Sequence, residues 1–253
     1  MVSIIEAIIL GAVQGITEWL PISSSGHLVL FQNLFGIEQP LIFDVLLHLG
    51  SLAVVLLVFW KEILALLSGL FGFEKKAFKF VIYLMIASIP IALTGYFFND
   101  FIKSIFHSNL TVGISLLITA GLLFMSKYPL KKEKKLGFFN TIIIGLFQAM
   151  AILPGLSRSG ATISAGFFQG VKRREAAFFS FMLFIPAIIG ATVLEIRNIG
   201  EIGELKFLLI GVITVVIVGY LSLKLLLHII NHKKFHYFAW YCLGLGLILI
   251  LST

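Results

Sequence analysis

Charged residues are scarce in this chain of 253 residues: only 12% are Asp, Glu, Lys or Arg, whereas 59% are hydrophobic. Soluble domains carry about twice that share of charge, so the sequence excludes a protein whose whole surface faces water. Apolar runs of about 18 residues or more indicate transmembrane helices. The surplus of 19 basic over 12 acidic residues then indicates charged loops beside a membrane, and we expect no nucleic-acid partner.

Cysteine is almost absent as well. The single one, Cys242, lies in the last apolar run, which excludes a disulfide framework and a cysteine metal site. Lys and Arg are missing before the first apolar stretch, and no small-residue cleavage site follows it. We therefore expect no removable signal peptide.

Long apolar runs are abundant, and six of them are long enough to span a membrane. Two other regions, 2–36 and 137–170, break at Pro21 and at Pro154-Gly155 and then resume as a short run. At about 1.5 Å per residue, such a run cannot cross about 30 Å of hydrocarbon. Each region therefore predicts a re-entrant hairpin made of a helix, a break and a half-helix. The six predicted spans are residues 42–60, 78–98, 110–127, 176–196, 206–228 and 236–252.

The two broken regions match each other in sequence. When Gly11 is set on Gly145, Gln14 falls on Gln148 and the SSSG of 23–26 falls on the SRSG of 157–160 without a gap. This indicates an internal duplication. Each hairpin precedes three spans, so the second copy must sit upside down, as in the inverted repeats of transporters. We predict one all-α polytopic membrane domain over 1–253, with repeats at about 1–130 and 135–253.

The basic residues support this arrangement. Fifteen of them fall on one side of the predicted membrane, in 61–79, 127–136, 172–174 and 224–234. The other side receives only Lys103, Arg197 and Lys206. Because loops rich in Lys and Arg stay in the cytoplasm, both termini are predicted to face outward. The first hairpin then enters from outside and the second from inside, so their tips can meet.

Polar side chains concentrate at the two predicted tips. Gln14 and Glu18 share one helix face, and Ser23, Ser24 and Ser25 can cap the half-helix that carries His27. In the second tip Ser157, Arg158 and Ser159 precede Thr162. Free N–H groups at a helix N-terminus bind anions, phosphate above all, and an arginine fits phosphate oxygens with two donors. Ionisable groups at membrane depth are usually functional.

Less specific explanations exist for several of these residues. Ser23 and Ser159 can be caps only, Arg158 can pair with Glu18 for structure alone, and His27 can be an ordinary buried histidine. Asp44 and His48 lie four residues apart at the start of a span. They could line the cavity, but a carboxylate at a helix start explains this pair equally well.

The segments QGITEWLPISSSGH and LPGLSRSGATIS closely resemble the two signature motifs of the undecaprenyl-diphosphatase family, also called the bacitracin-resistance family. The resemblance covers essentially the whole chain. It implies a membrane phosphatase that hydrolyses the C55 isoprenoid diphosphate to the monophosphate carrier lipid on the outer face of the bacterial plasma membrane, a step in cell-wall synthesis. It also implies a divalent cation, Mg²⁺ or Ca²⁺.

The motif positions that carry over from the resemblance are Gln14, Glu18, Ser24, His27, Ser157, Arg158 and Thr162. Glu18 would hold the cation, and Gln14 would assist, although glutamine lacks the charge of the glutamate that some members have there. Arg158 would bind the substrate phosphates with Ser23, Ser25, Ser157, Ser159 and Thr162.

Two catalytic routes remain open at this point. Ser24, activated by His27 or Glu18, can form a phosphoserine, and we prefer the pairing of Ser24 with His27. Alternatively, His27 attacks phosphorus itself or activates water. The rival function is a transporter that flips polyprenyl phosphate, because inverted repeats with broken helices are transporter architecture. The oligomeric state is not set by the sequence, and a homodimer is compatible with it.

The predicted topology can be tested with single cysteines in a Cys242→Ser background. A Lys132→Cys protein should react with a membrane-impermeant thiol reagent only after the cells are opened. An Asn99→Cys protein should react in intact cells. One predicted span, 110–127, lies between the two positions, so they should be on opposite sides of the membrane. Labelling of both cysteines from the same side would contradict the inverted repeat.

Overall fold

The computed structural model describes residues 3–36, 41–106, 108–128, 133–195 and 205–252. Within these ranges the chain is helical, and its only β-pairing is an isolated bridge between Lys134 and Val171. The helices are α1 (Ile4–Thr17), α2 (Ser24–Phe35), α3 (Leu41–Val58), α4 (Trp60–Phe71), α5 (Lys75–Phe97), α6 (Asn99–Ile105), α7 (Asn109–Met125), α8 (Phe138–Met150), α9 (Arg158–Phe168), α10 (Arg173–Glu195), α11 (Leu205–Asn231) and α12 (Phe238–Leu251).

A helix occupies each of the six predicted spans, namely α3, α5, α7, α10, α11 and α12. Of the described helices, three are long and apolar enough to cross a membrane alone, and the number rises to five if each of two bent pairs counts as one span. α12 has only 14 residues, about 21 Å of helix, because a turn of 3₁₀ helix at Phe235–Tyr237 precedes it. The fold is that of an all-α polytopic membrane protein, as predicted.

Two short helices, α4 and α6, were not predicted. α3 ends at Val58, and at Phe59 the chain turns by 77° into α4. The Phe59 ring lies against Phe178 and Phe181, with centroids 5.4 and 5.7 Å apart, so aromatic packing holds the bend. Apolar periodicity alone gives no signal for such a turn, because the run continues through it.

The outward surface of the bundle is apolar. On α5 the exposed side chains include Ile82, Met85, Ile89 and Leu93, which recur every three or four residues and so form one stripe. Such a stripe would be costly in water but is stable in hydrocarbon. The fold therefore carries lipid-facing surface where a soluble bundle carries charge.

Both predicted hairpins are present, and each turns at the expected break. α1 stops at Thr17 and α2 begins at Ser24, after Pro21; α8 stops at Met150 and α9 begins at Arg158, after Pro154. These four helices have 14, 12, 13 and 11 residues, so at about 1.5 Å per residue none of them crosses about 30 Å of hydrocarbon.

The tips of the two hairpins touch. A Cβ atom added to Gly26 would lie 3.0 Å from the Cα atom of Gly155, so the two backbones approach closely only because both residues lack side chains. Nearby, the Ser159 hydroxyl donates a hydrogen bond of 3.2 Å to the carbonyl of Trp19. These contacts join the N-terminal and C-terminal halves at the tips.

The aligned glycines make equivalent contacts in the two halves. A Cβ atom at Gly11 would lie 2.5 Å from the Gly211 carbonyl oxygen, and one at Gly145 would lie 2.7 Å from the Ala87 carbonyl oxygen. α1 of the first half therefore packs on α11 of the second, and α8 of the second packs on α5 of the first. The two halves are interlocked rather than side by side.

Gly155 provides a test of the tip contact. Its φ of +90° is unfavourable for any L side chain, and an added Cβ would lie 2.5 Å from the Val112 carbonyl oxygen. We expect Gly155→Ala to lower the free energy of unfolding by at least the 1–3 kcal/mol or so of a strained backbone, measured by thermal unfolding in detergent. Gly121→Ala is the control, because nothing lies within 4 Å of its added Cβ. Equal stability of the two variants would contradict the observed packing.

Candidate active site

A cavity of about 260 Å³ opens where the two tips meet. Its polar walls come from the first tip, the second tip, α3 and α6, whereas α5 and α10 provide apolar walls. The polar lining residues are Glu18, Ser23, Ser24, Ser25, Asp44, His48, Asn99, Lys103, Ser157 and Arg158. A small polar chamber that opens into an apolar one suits a ligand with a charged head and a hydrocarbon tail.

Glu18 is the centre of the polar network. Its side chain is only 5% exposed and sits just beyond the end of α1. Its Oε2 atom accepts hydrogen bonds from the Ser24 hydroxyl at 2.5 Å and from the Gln14 amide at 3.1 Å. Oε2 also lies 3.3 Å from His48 Nε2, and Oε1 accepts from Arg158 Nη2. A carboxylate with this many donors is stabilised in its charged form.

Arg158 reaches the cavity from the first residue of α9. Its guanidinium lies over the ring of Phe184, 4.3 Å from the centroid, so its plane is fixed by cation–π contact. Nη2 donates to Glu18, whereas Nη1 is buried and has no hydrogen-bond partner among the described residues. A buried donor without a partner is unfavourable, so this side chain is prepared for an anionic ligand.

The two tips share one local geometry. In the first, the Ser23 hydroxyl accepts from Gly26 N–H at 3.3 Å and lies 3.3 Å from the Ser25 hydroxyl. In the second, the Ser157 hydroxyl accepts from Gly160 N–H at 3.0 Å and lies 3.3 Å from the Ser159 hydroxyl. In each tip the earlier N–H groups of the half-helix are not used by intrahelical bonds. The helix N-termini of α2 and α9 are therefore suited to bind anions.

Ser24 and Arg158 occupy equivalent positions in these two tips and both line the cavity. Ser23, which precedes Ser24, has a φ of +70°, a conformation that residues other than glycine rarely adopt. Such backbone strain is common at functional sites. Directly after this strained residue, the Ser24 hydroxyl points at the Glu18 carboxylate.

His27 is not part of this cavity. Its Nδ1 lies 2.8 Å from the Ser23 carbonyl oxygen and its Nε2 lies 2.7 Å from the Tyr241 hydroxyl, and the ring stacks on Tyr241. It lines a different, largely apolar groove next to α12. The expected pairing of Ser24 with His27 is therefore not what the structure contains: the partner of the Ser24 hydroxyl is Glu18. The cause is the rotation of α2, which turns positions 24 and 27 toward different walls.

Two further predicted binding residues do not line the cavity. The Ser159 hydroxyl donates a hydrogen bond to the Trp19 carbonyl. The Thr162 hydroxyl donates to the Arg158 carbonyl at 2.8 Å and lies 2.5 Å from the Ser180 hydroxyl. Thr162 is fully buried, so in this structure it holds the start of α9 against α10. The other predicted phosphate-binding residues, Ser23, Ser25, Ser157 and Arg158, do line the cavity.

Asp44 and His48 were left outside the predicted site but line the cavity. Asp44 accepts a hydrogen bond of 2.9 Å from the Gln32 amide, and the His48 ring contacts Glu18. Their spacing of four residues was the available signal, since it places both on one helix face. The packing of α3 against the other helices decides which way that face points. The local sequence around Asp44 and His48 does not specify this packing.

The residues present fit a divalent cation only in part. Glu18 supplies a carboxylate, and Gln14 has a buried Oε1 atom without a partner among the described residues. This oxygen would become a ligand beside Glu18 if the amide were turned over. No group of three or more His, Cys, Asp or Glu suited to a metal occurs in the part of the chain that the structure describes. Mg²⁺ is commonly held by one or two carboxylates together with substrate phosphates, and this donor set suits that mode.

A family model and several relatives of known name agree with one another. Residues 7–248 match the family model of the bacitracin resistance protein BacA. A protein of Methanosphaera stadtmanae named undecaprenyl-diphosphatase is 41% identical, over 100% of this chain and 99% of its own. Proteins of the same name from Desulforapulum autotrophicum and Bacteroides thetaiotaomicron are 40% and 41% identical, over 98% of this chain and 97% and 98% of theirs.

Proposed function

The chain belongs to the bacitracin resistance protein BacA family, and we propose that it hydrolyses undecaprenyl diphosphate to undecaprenyl phosphate and inorganic phosphate. The observation that carries the proposal is Arg158 Nη1, a buried donor that has no partner among the described residues, on a side chain that lines the same cavity as Ser24. A phosphate oxygen would satisfy this donor, and Ser24 would lie beside the phosphorus. The transport alternative is not favoured, because the relatives are named for a diphosphatase.

The cavity suggests how the substrate lies. The diphosphate head would sit against Arg158 and the N–H groups of α2 and α9. From there the walls become apolar, with Ile91 of α5, Ile152 of the second tip and Ile188 and Leu194 of α10. The isoprenoid tail would leave between α5 and α10 toward lipid. Burial of the first isoprene units would add about 0.8 kcal/mol per methylene-sized group.

The geometry favours Ser24 as the nucleophile and Glu18 as its base. The Ser24 oxygen would attack the terminal phosphorus while its proton passes to Glu18 Oε2, 2.5 Å away. The bond from that phosphorus to the bridging oxygen would break, and its electron pair would leave with undecaprenyl phosphate. Water would then attack the phosphoserine. The proton on Glu18 would return to the Ser24 oxygen as its bond to phosphorus breaks, and a proton of the water would pass to the phosphate, which leaves as inorganic phosphate. Arg158 would stabilise the charge on the transferring group.

Glu18 and Gln14 would hold a divalent cation, Mg²⁺ or Ca²⁺, together with the substrate phosphates. When bound, such an ion neutralises charge on the leaving phosphate. The charges around the cavity favour such an ion. The carboxylates of Glu18 and Asp44 line it together with one arginine, one lysine and one histidine, namely Arg158, Lys103 and His48. These groups alone provide little net positive charge for a multiply charged diphosphate.

We also infer that the cavity opens to the outer face of a bacterial plasma membrane. The positive-inside rule supports this orientation, because Asn99 and Lys103 line the cavity mouth and belong to the side poor in basic residues. Diphosphate carrier lipid is left on that face after its sugar cargo has been transferred. The possible homodimer stays a prediction.

The activity is tested by phosphate release from purified protein supplied with undecaprenyl diphosphate in detergent micelles. We expect release that a chelator suppresses and that added Mg²⁺ or Ca²⁺ restores. Arg158→Lys should lower the rate about 10²-fold or more, because a lysine cannot bond Glu18 and a phosphate with one planar group. Glu18→Gln should lower the rate and the response to cations together.

Arg173→Lys is the matched control for Arg158→Lys. Arg173 also lies over a phenylalanine ring, that of Phe167 at 4.7 Å, but it is not among the residues that line the cavity. The control should keep the activity of the wild type. Near-normal rates in a folded Arg158→Lys protein would exclude the proposed phosphate site.

The nucleophile is tested with Ser24→Ala. Loss of the attacking oxygen should reduce the rate by several orders of magnitude, whereas Ser222→Ala, on α11 and away from the cavity, should have no effect. A rapid quench of the wild type followed by mass spectrometry should place a phosphate on Ser24. Substantial activity in Ser24→Ala, or a phosphate on His27, would instead support the histidine route; no phosphoenzyme at all would favour direct attack by water.

A further inference from the structure

Ser23 has an unusual backbone conformation within the first tip. Its φ of +70° lies in the left-handed region, which is unfavourable for a serine and persists only where the surrounding structure holds it. Ser23 is the N-cap of α2, and the next residue is Ser24, whose hydroxyl donates to Glu18. The direction of the proposed nucleophile therefore depends on the contacts that keep Ser23 in this conformation.

His27 holds the carbonyl group of Ser23 from within α2. The backbone N–H of His27 donates to that oxygen at 3.2 Å, and the ring nitrogen Nδ1 lies 2.8 Å from it. A carbonyl oxygen only accepts hydrogen bonds, so Nδ1 is the donor. The ring makes this bond only in one orientation, which leaves Nε2 on its far side. The contact at Nε2 therefore decides how firmly the ring is held.

Tyr241 of α12 holds the far side of the His27 ring. Its hydroxyl lies 2.7 Å from Nε2, and the two rings are stacked, with centroids 5.6 Å apart and planes inclined by 13°. A tyrosine hydroxyl can donate or accept, so this contact does not depend on the charge of the imidazole. Both residues line a largely apolar groove. Because hydrocarbon offers no water to a hydroxyl, His27 is the partner that Tyr241 needs.

α12 also contacts the break of the first tip at a second place. The Sγ atom of Cys242, the residue after Tyr241, lies 3.5 Å from the carbonyl oxygen of Pro21, and Cys242 is fully buried. Tyr241 reaches the backbone of Ser23 through His27, whereas Cys242 reaches the backbone of Pro21 directly. The last helix of the second half thus supports the loop that carries the nucleophile of the first half.

We propose that Tyr241 is a positioning residue that acts through His27 on the proposed nucleophile, Ser24. The Tyr241 hydroxyl anchors Nε2, and the anchored ring holds the Ser23 carbonyl. The held backbone then directs the Ser24 hydroxyl at Glu18 Oε2, 2.5 Å away. The proposal rests on the proposed phosphatase activity. Tyr241 is not among the residues that line the cavity, so it would affect the rate of attack rather than the binding of substrate.

Tyr241→Phe tests this role, because it removes the hydroxyl and keeps the ring that stacks on His27. We expect kcat to fall about tenfold while KM stays within about twofold, since the cavity is unchanged but the Ser24 hydroxyl is less well directed. Both constants are measured by phosphate release from undecaprenyl diphosphate in detergent micelles. A rapid quench should show the same loss in the rate at which Ser24 is phosphorylated.

A double-mutant cycle tests whether Tyr241 acts through His27. His27→Asn keeps an amide N–H close to the position of Nδ1, but its shorter side chain does not reach the Tyr241 hydroxyl. In this background we expect Tyr241→Phe to change kcat less than about twofold, because the link is already broken. A full tenfold loss in the His27→Asn background would show that Tyr241 acts by another route and would overturn the proposal.

Tyr237→Phe is the matched control. Tyr237 lies one turn before Tyr241 and lines the same groove, but its ring lies beside that of His236, with centroids 4.5 Å apart. This variant should keep the kcat and the KM of the wild type. Thermal unfolding of all variants separates a loss of fold from a loss of chemistry.

The results separate this proposal from the proposed function. If the wild type releases no phosphate from undecaprenyl diphosphate, the proposed function is wrong. If the wild type is active and a folded Tyr241→Phe protein keeps its kcat, the role of Tyr241 is wrong and the function stands. A higher KM with an unchanged kcat would place Tyr241 at the substrate, and it would contradict the positioning role as well.

Discussion

The ion pair between Glu18 and Arg158 is the interaction on which the rest of the site depends. Its two members belong to different hairpins, 140 residues apart in sequence, and both side chains are largely buried, 5% and 13% exposed. Removing either partner would leave the other charge without compensation in a medium of low polarity, which is strongly destabilising. The pair therefore fixes the two tips together, and the close backbone contact of Gly26 with Gly155 makes that distance attainable.

The ion pair also explains why the two terminal nitrogens of the Arg158 guanidinium group differ. One nitrogen donates to Glu18, and the other has no partner in the part of the chain that the structure describes. A lysine would present one compact ammonium group, whereas the planar fork of arginine presents one nitrogen to the carboxylate and another to a ligand. The Phe184 ring lies against the guanidinium group, 4.3 Å from its centre, so the spare donor is held in place before any ligand arrives.

The sequence predicted the helices other than α4 and α6, the breaks and the meeting of the tips, because these depend on local signals: apolar run length, Pro21, Pro154 and the serine caps. It also predicted Glu18 and Arg158, since ionisable residues at membrane depth are rare. It did not predict which way the side chains of each half-helix point. Ser24 and His27 are three residues apart, yet only Ser24 faces the cavity, and His48 enters it from α3. Side-chain direction is set by the packing of whole helices, which a single sequence does not specify.

The two tips have one backbone design but different chemistry. Both use an N-cap serine, a second serine two residues later and a glycine one residue after that. The buried amides of Gln14 and Gln148 are also equivalent, and the Oε1 atom of each has no partner in the described structure. The position equivalent to Ser24 is Arg158, and the position equivalent to Glu18 is Ile152. In the proposed mechanism one tip thus supplies the nucleophile with its base, and the other supplies the arginine. Two helix ends suited to anions meet at one point, and the differences at these two positions give that point its proposed chemistry. Two identical tips would have placed either two carboxylates or two guanidinium groups in one small cavity, where like charges repel each other.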